Sequence, residues 1–175
     1  MTLTTRGFAG FVLIASALVL GAALLSQYWG GLAPCELCIL QRWPWTAAIT
    51  ISLVAVLVGG RPALPWVALV LAVVFAASVS FAAYHVAVEH HWVAGPSGCT
   101  AAAGGATTLE EMRRQILGAA PVRCDEVPWS LFGVSLAGWN LLASLIMAAV
   151  SAAVFVSSRR PPSRAPAGQI SRGAA

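Results

Sequence analysis

Apolar residues gather in four long stretches along the chain, and short polar segments separate most of them. Each stretch is close to the roughly 20 residues that an α-helix needs to cross a lipid bilayer. A chain that crosses a bilayer must pair its backbone amides internally, so these stretches predict helices. The predicted spans are residues 8–26, 43–60, 64–88 and 136–157. The predicted fold class is therefore an all-α membrane protein, a four-helix transmembrane bundle within residues 1–158.

A fifth, shorter helix is predicted in the long loop between the third and fourth spans. Thr108 and Glu111 have the spacing of a helix-starting capping box, and Pro121 ends the pattern. The apolar positions between them fall on one helical face: Leu109, Met112, Ile116 and Leu117. Such an amphipathic helix lies along a membrane surface as an interfacial helix, or it packs onto its own loop. The sequence leaves both interpretations open.

Charged residues are divided unequally between the two sides of the predicted bundle. The side formed by the N-terminus, the turn after the second span and the C-terminal tail has no acidic residue. Its arginines are Arg6, Arg61, Arg159, Arg160, Arg164 and Arg172. The other side has four arginines against six acidic residues. The positive-inside rule therefore predicts cytoplasmic termini and external cysteine loops. Residues 159–175, rich in proline and arginine, predict a disordered cytoplasmic tail.

The composition agrees with a membrane protein. Hydrophobic residues make up 59% of the chain and charged residues 9%, against about 25% charged in soluble domains. No basic patch interleaved with aromatic residues indicates a nucleic-acid partner.

The first span is expected to be retained, because no clean small-x-small signal-peptide cleavage site follows it. Tryptophans near the outer span ends predict a belt in contact with membrane lipid: Trp29, Trp43, Trp45, Trp92 and Trp129.

Cys35 and Cys38 form a C-x-x-C pair just before the second span. Haem attachment requires histidine after the second cysteine, and Ile39 stands there. A zinc site requires two more ligands, which Cys99 and Cys124 could supply. Outside the cytoplasm, however, these thiols are expected to oxidise first. The pattern therefore favours a dithiol/disulfide couple and no metal.

The position of this pair gives the redox interpretation further support. Cys38 is expected near a helix N-terminus, where the positive end of the helix dipole favours a thiolate. Arg42 follows four residues later and would share a helical face with Cys38. A nearby guanidinium lowers the pKa of a thiol and stabilises an oxyanion on an electron acceptor. The alternative for Arg42 is an interfacial arginine that extends its charge to water.

The electron acceptor is inferred from what the sequence lacks. No Rossmann or flavin fingerprint and no haem ligand pair at helical spacing is present in the sequence. A quinone is an acceptor that dissolves in lipid and reaches the bilayer edge. The second cysteine pair, Cys99 and Cys124, lies in the long loop. A disulfide there would be a structural staple or a mobile pair that meets a partner protein, and the sequence does not choose between them.

The segments "PCELCILQRWPW" and "CDEVPWSLFGVSLAGWN" resemble the DsbB family of quinone-dependent membrane oxidoreductases. The resemblance covers residues 8 to about 156. It implies that Cys35–Cys38 is the quinone-proximal disulfide, with Cys38 and Arg42 contacting the quinone. It also implies a Cys99–Cys124 disulfide that exchanges with a DsbA-like periplasmic protein through Cys99. His85 matches a histidine near the quinone, and His90 and His91 compete for that role.

The function implied by this resemblance is reoxidation of a DsbA-like periplasmic thiol oxidoreductase in the bacterial inner membrane. Electrons would pass through both cysteine pairs to ubiquinone or menaquinone. A vitamin K epoxide reductase type of enzyme is the nearest alternative, but its redox C-x-x-C lies near the outer end of a late helix. A structural four-span protein of the claudin or tetraspanin kind is the other alternative. The short first loop here disfavours it.

Overall fold

The computed structural model describes residues 4–96, 99, 108–116 and 122–159 of the chain. Most of these residues are helical, and a short β-hairpin with two-residue strands precedes the last helix. In chain order the elements are α1 (Thr5–Tyr28), α2 (Glu36–Leu40), α3 (Arg42–Val58), a 3₁₀ turn (Arg61–Ala63), α4 (Leu64–Glu89), α5 (Leu109–Ile116), β1 (Ser130–Leu131), β2 (Val134–Ser135) and α6 (Leu136–Arg159).

Among the residues that the structure describes, four helical segments are long and apolar enough to cross a membrane. They are α1, α2 continued by α3, α4, and α6. Helix α4 packs along α6, α1 packs along α3, and α3 joins the two pairs through α4. Many large apolar side chains point away from these contacts and are exposed, for example Phe11, Ile14, Leu18, Leu57 and Val73. This arrangement is a multi-pass bundle that turns its apolar surface toward lipid, as predicted.

Small residues let the helices approach one another closely, as is common in membrane bundles. Ala48 of α3 and Ala68 of α4 are fully buried. Ser78 and Ser144 share a hydrogen bond of 2.8 Å between α4 and α6. Trp45 fills the wider space and packs edge-on against Phe75, with the ring centroids 5.3 Å apart. In the described part of the chain, the core therefore combines small residues at helix contacts with larger buried side chains such as Leu71 and the Trp45–Phe75 pair.

The helices extend beyond the predicted spans at several ends. Helix α1 begins at Thr5, where the Thr4 hydroxyl accepts a hydrogen bond of 3.1 Å from the Gly7 amide. The second span begins at Glu36 instead of residue 43 and breaks at Gln41. Pro44 explains the break, because a proline ring clashes with the carbonyl four residues earlier, here Leu40. The last helix includes Arg159, and residues 160–175 of the predicted tail lie outside the described residues.

Helix α5 confirms the short helix predicted in the long loop between the third and fourth spans. Leu109 is 84% exposed and Met112 is 48% exposed, so the apolar face of α5 is left largely uncovered at these two residues. This exposure favours the membrane-surface interpretation. The side chains of Glu111 and Ile116, and all of Leu117 and Pro121, lie outside the described residues.

The cysteines and the turn between α3 and α4 lie at opposite ends of the bundle. At one end, the Thr5 hydroxyl donates a hydrogen bond of 2.8 Å to the carbonyl of Gly60. At the other end, all four cysteines gather beside the end of α4, where Val88 is buried among them. The bundle thus brings together cysteines that are far apart in sequence.

A candidate redox centre beside an apolar cavity

Cys35 lies at the N-terminus of α2, one position earlier than the helix itself. Its sulfur accepts a hydrogen bond of 3.2 Å from the Cys38 amide, so Cys35 is the N-cap residue. The sequence had placed Cys38 near the helix N-terminus, and Cys38 does lie in the first turn. The structure gives the capping position, and the most direct stabilisation by the helix end, to Cys35 instead.

The two thiols of the C-x-x-C pair share a hydrogen bond, with the sulfurs 2.8 Å apart. The Cys38 thiol lowers the pKa of Cys35 to about 4, and burial of Cys35 opposes this effect. A second hydrogen bond, from His85, also lowers that pKa, with Nε2 of His85 at 3.6 Å from the Cys35 sulfur. When both thiols are reduced, Cys35 is therefore the thiolate of the pair.

Cys99 and Cys124 form a disulfide, with their α-carbons 5.2 Å apart. The amide of Cys124 also donates a hydrogen bond of 2.9 Å to the carbonyl of Cys99. Both residues are fully or almost fully buried. The sulfurs of Cys35, Cys99 and Cys124 all lie within 4.8 Å of one another. The two cysteine pairs are thus in contact range, with Cys35 as the member of the first pair that faces the second.

This disulfide argues against the four-cysteine zinc site that the sequence left as an alternative. A four-cysteine zinc site needs four thiolates, and a disulfide removes two of them. The other pair, Cys35 and Cys38, is reduced in the structure. A thiol pair beside a disulfide is an arrangement that supports thiol–disulfide exchange.

A cavity of about 410 Å³ opens beside Cys38, and neither Cys99 nor Cys124 lines it. Helix α1, the junction of α2 and α3, and the start of α6 form its walls. Most of the lining is apolar, including Val19, Leu20 and Leu136. Cys38, Arg42 and His85 also line it, so the structure brings these three predicted site residues to one cavity.

Arg42 is held at this cavity by a hydrogen bond of 2.7 Å from its Nη1 to the side-chain oxygen of Gln27. The helix break at Gln41 lies between Cys38 and Arg42, yet both reach the same cavity. The guanidinium has donors beyond the one that Gln27 occupies. The arrangement can therefore offer hydrogen bonds to a polar group in an otherwise apolar cavity.

The three histidines have different surroundings. His85 is buried and lines the cavity, whereas the ring of His90 stacks on that of Trp92. His91 lines a second, smaller pocket with Asp125. Among the described residues, neither His90 nor His91 borders the cavity that contains Cys38. Of the three, His85 alone is positioned beside the C-x-x-C pair.

One tryptophan differs from the predicted belt. Trp29, Trp43, Trp92 and Trp129 are exposed, as a belt requires. Trp45 is 2% exposed, so its assignment to the belt was wrong. Its indole N–H donates a hydrogen bond of 2.8 Å to the side-chain oxygen of Asn140. The position of Trp45 near the predicted span end gave no sign of this inward contact.

Sequence analysis also missed two polar residues at the cavity. Gln41 and Asn140 both line it and hydrogen-bond to each other, although 99 positions separate them. Gln41 also contacts Nδ1 of His85 at 2.5 Å. One feature of the sequence could have indicated them: each is a polar amide side chain within an apolar segment. Such a side chain needs a hydrogen-bond partner when it is buried.

The chain is similar to proteins of one known family. The model of the family described as "Disulfide bond formation protein DsbB" matches residues 5–154. A relative named Disulfide bond formation protein B from Actinobacillus pleuropneumoniae is 30% identical over 156 residues, covering 86% of this chain and 82% of its own. The Stutzerimonas stutzeri protein of the same name is 31% identical over 146 residues, covering 78% and 86%.

The Aromatoleum aromaticum protein, which also has this name, is 29% identical over 164 residues and covers 87% of this chain and 92% of its own. No solved structure matches the chain significantly. The family match spans all four membrane helices and both cysteine pairs. On this basis the chain is a member of the DsbB family of disulfide bond formation proteins.

Proposed function

We propose that this protein reoxidises a DsbA-like periplasmic thiol oxidoreductase and passes the electrons through both cysteine pairs to a membrane quinone. Family membership already makes it a membrane oxidoreductase of disulfide bond formation. One observation carries the finer proposal. Cys35 lies within 4.8 Å of the Cys99 and Cys124 sulfurs, while its partner Cys38 lines the apolar cavity with Arg42.

The first steps are thiol–disulfide exchanges in which each new bond replaces an old one. A thiolate of the reduced partner attacks the sulfur of Cys99, and the Cys99–Cys124 bond breaks with its electron pair on Cys124. The Cys124 thiolate then attacks Cys35 of an oxidised Cys35–Cys38 pair, which is within reach. This forms a Cys35–Cys124 disulfide and releases Cys38 as a thiolate beside Arg42.

The remaining exchanges restore the second pair. The partner's second thiolate attacks the partner's first cysteine sulfur, which is bonded to Cys99 in the mixed disulfide. The partner's own disulfide forms, and Cys99 leaves as a thiolate. Cys99 attacks Cys124, so that the Cys99–Cys124 disulfide forms again and Cys35 leaves. Cys35 and Cys38 then form their disulfide and give up two electrons. The two protons that leave the partner's thiols balance the two that convert a quinone to a quinol.

The cavity fits a quinone ring in its chemistry. Its walls are mostly apolar, and Arg42 supplies a cationic donor for a carbonyl oxygen on which negative charge develops. Cys38 and Arg42 would hold the ring, with His85 in the wall beside them. A bound quinone supplies the two-electron acceptor. The protein supplies the thiolate, the guanidinium and a cavity closed largely by apolar side chains.

The proposed location is the bacterial inner membrane. The arginine-rich end would face the cytoplasm and the cysteine end the periplasm, because positively charged loops remain inside. This orientation places the cysteine pairs in an oxidising compartment, where a disulfide persists. It would also place the Cys99–Cys124 disulfide on the side of an aqueous thiol partner, and Cys38 beside a cavity that a lipid-soluble acceptor can enter.

The test is reduction of a short-chain ubiquinone or menaquinone by purified protein supplied with a reduced DsbA-like protein. We expect turnover with at least one quinone and its loss in Cys38→Ser. In that variant, the exchange between the partner and the Cys99–Cys124 disulfide should persist. Absence of turnover in the wild type with both quinones, or turnover that Cys38→Ser leaves unchanged, would contradict the proposed electron path through Cys38.

A further inference from the structure

A chain of hydrogen-bonded side chains leads from the core of the bundle to the C-x-x-C pair. The Trp45 indole donates to the Asn140 oxygen at 2.8 Å. The Asn140 amide nitrogen donates to the Gln41 oxygen, and the Gln41 nitrogen lies 2.5 Å from Nδ1 of His85. The chain connects three separate helices and the short break between α2 and α3.

The direction of every bond in this chain follows from its first member. An indole N–H can donate but cannot accept, so the oxygen of Asn140 must face Trp45. The NH₂ group of Asn140 then faces Gln41, which must present its oxygen. The NH₂ group of Gln41 is left to face His85. Since that group donates, Nδ1 of His85 must be the unprotonated nitrogen that accepts.

The neutral imidazole then carries its hydrogen on Nε2, which faces acceptors. The Cys35 sulfur lies 3.6 Å from Nε2, and Oε1 of Glu89 lies 4.0 Å away. The other oxygen of Glu89 accepts a hydrogen bond of 2.6 Å from the Ser135 hydroxyl. The Gly138 amide donates to the Ser135 oxygen at 3.0 Å, which leaves the Ser135 hydrogen for Glu89. Both sides of His85 thus agree on one tautomer.

We propose that Trp45, Asn140 and Gln41 are positioning residues that fix the tautomer of His85, so that its Nε2–H stabilises the Cys35 thiolate. This inference deepens the proposed function, on which it rests for the role of Cys35 as the exchange cysteine. Cys35 is the leaving group when Cys99 attacks Cys124, and a stabilised thiolate leaves faster. The two nitrogens of His85 are then engaged by the protein, and its effect on the quinone is indirect.

The tautomer can be read directly in reduced, quinone-free protein by NMR of isotope-labelled histidine ring nitrogens. In the wild type we expect a protonated Nε2 and a bare Nδ1 for His85. Asn140→Asp keeps the shape but presents acceptors to both neighbours. Gln41 must then rotate its NH₂ group toward residue 140 and its oxygen toward His85. The expected result is a proton on Nδ1 of His85.

Two further variants complete the test. Trp45→Phe removes the donor that sets the direction, and we expect a mixture of the two tautomers. Ser144→Ala is the matched control, because Ser144 is a buried polar residue on the same helix as Asn140 and bonds only to Ser78 among the described residues. It should leave the His85 spectrum unchanged. If Asn140→Asp does not fold, the wild-type and Trp45→Phe spectra still decide the question.

A second readout follows the Cys35 thiolate through its ultraviolet absorbance. In Asn140→Asp the midpoint of the thiolate titration should move upward by about one pH unit, since the hydrogen bond from His85 is lost. A bare Nε2 in the wild type, or an unchanged tautomer in Asn140→Asp, would overturn the proposal. Quinone turnover is a separate measurement. Its absence, with the expected tautomer present, would count against the proposed function and not against the hydrogen-bonded chain.

Discussion

At the scale of single residues, the two thiols of the C-x-x-C pair differ in their surroundings. Cys35 caps a helix, contacts the second cysteine pair and receives two side-chain hydrogen bonds. Cys38 lies in the first turn and lines the apolar cavity. The sequence shows two cysteines three positions apart. Their different contacts, with the second cysteine pair and with the cavity, come from the helices packed around them.

This difference predicts how the reduced protein responds to pH. The pKa of Cys35 is lowered to about 4 from the ordinary value of 9.0, first by the hydrogen bond from Cys38. The ionised thiol therefore contributes its full stabilisation above about pH 9, and this is lost as the pH falls through about 4. Thiolate absorbance of reduced wild type minus that of Cys35→Ser should persist to about pH 4. A midpoint near the ordinary value would contradict the capping and hydrogen-bonding argument.

Arg42 predicts a separation between the two half-reactions. Arg42→Ala removes the cationic donor from the cavity that Cys38 also lines, and it leaves the Cys99–Cys124 disulfide unchanged. We expect the apparent KM for a short-chain quinone to rise about tenfold or more, since charge-assisted hydrogen bonds are the stronger kind. The rate of exchange with the thiol partner should change little. Steady-state kinetics at varied quinone, and stopped-flow exchange without quinone, measure the two quantities.

Arg159 is the control for this substitution. It lies at the other end of the bundle, where its guanidinium stacks over Trp66 and Phe155. Arg159→Ala should leave the KM for quinone unchanged. If Arg42→Ala also leaves it unchanged, Arg42 is an interfacial arginine, as the alternative reading of the sequence holds.

At the scale of elements, the hairpin before α6 shows a local conformation that the sequence did not reveal. Its two-residue turn, Phe132 and Gly133, has positive φ at both positions, 53° and 78°. This is the type I′ geometry, for which Asn-Gly is the usual signal. Phe-Gly is a weaker signal, because the left-handed conformation costs phenylalanine more conformational free energy than it costs asparagine.

Gly133→Ala should therefore destabilise the protein by about 1 kcal/mol, because a β-carbon disfavours positive φ. The hairpin carries Ser135, whose hydroxyl bonds to Glu89, so the loss should extend to that contact. Gly10→Ala is the matched control, since a β-carbon at Gly10 meets nothing within 4 Å and lies in an ordinary helix. It should be neutral or slightly stabilising. Thermal unfolding in detergent compares the two, and equal effects would contradict the turn assignment.

The spans themselves were predictable because apolar length is a strong signal in a membrane protein. The existence of α5 was predictable from its amphipathic spacing. The break at Gln41 was not predicted, although Pro44 three positions later carries its cause. Local pattern thus indicated which elements form, while their ends and breaks depend on single residues whose effect the hydrophobic pattern averages out.

At the scale of the whole molecule, the candidate site depends on contacts between distant segments. The C-x-x-C motif and Arg42 could be recognised from short spacing. Gln41 and Asn140 could not, because their hydrogen bond joins residues 99 positions apart. Trp45 was assigned to the lipid belt for the same reason, since its inward orientation follows from long-range contacts with Phe75 of α4 and Asn140 of α6. Long-range packing therefore supplies the part of the site that orients the recognisable residues.

The ends of the bundle predict its orientation in the membrane. The cysteine end and the arginine end are opposite, and the positive-inside rule places the arginines in the cytoplasm. Alkaline phosphatase, which is active only outside the cytoplasm, should be inactive when fused after Arg159 and active when fused after Trp92. A cytoplasm-active fluorescent reporter should give the reverse pattern. Active phosphatase after Arg159 would put the cysteine pairs on the cytoplasmic, reducing side. The Cys99–Cys124 disulfide would not persist there and could not oxidise a thiol partner.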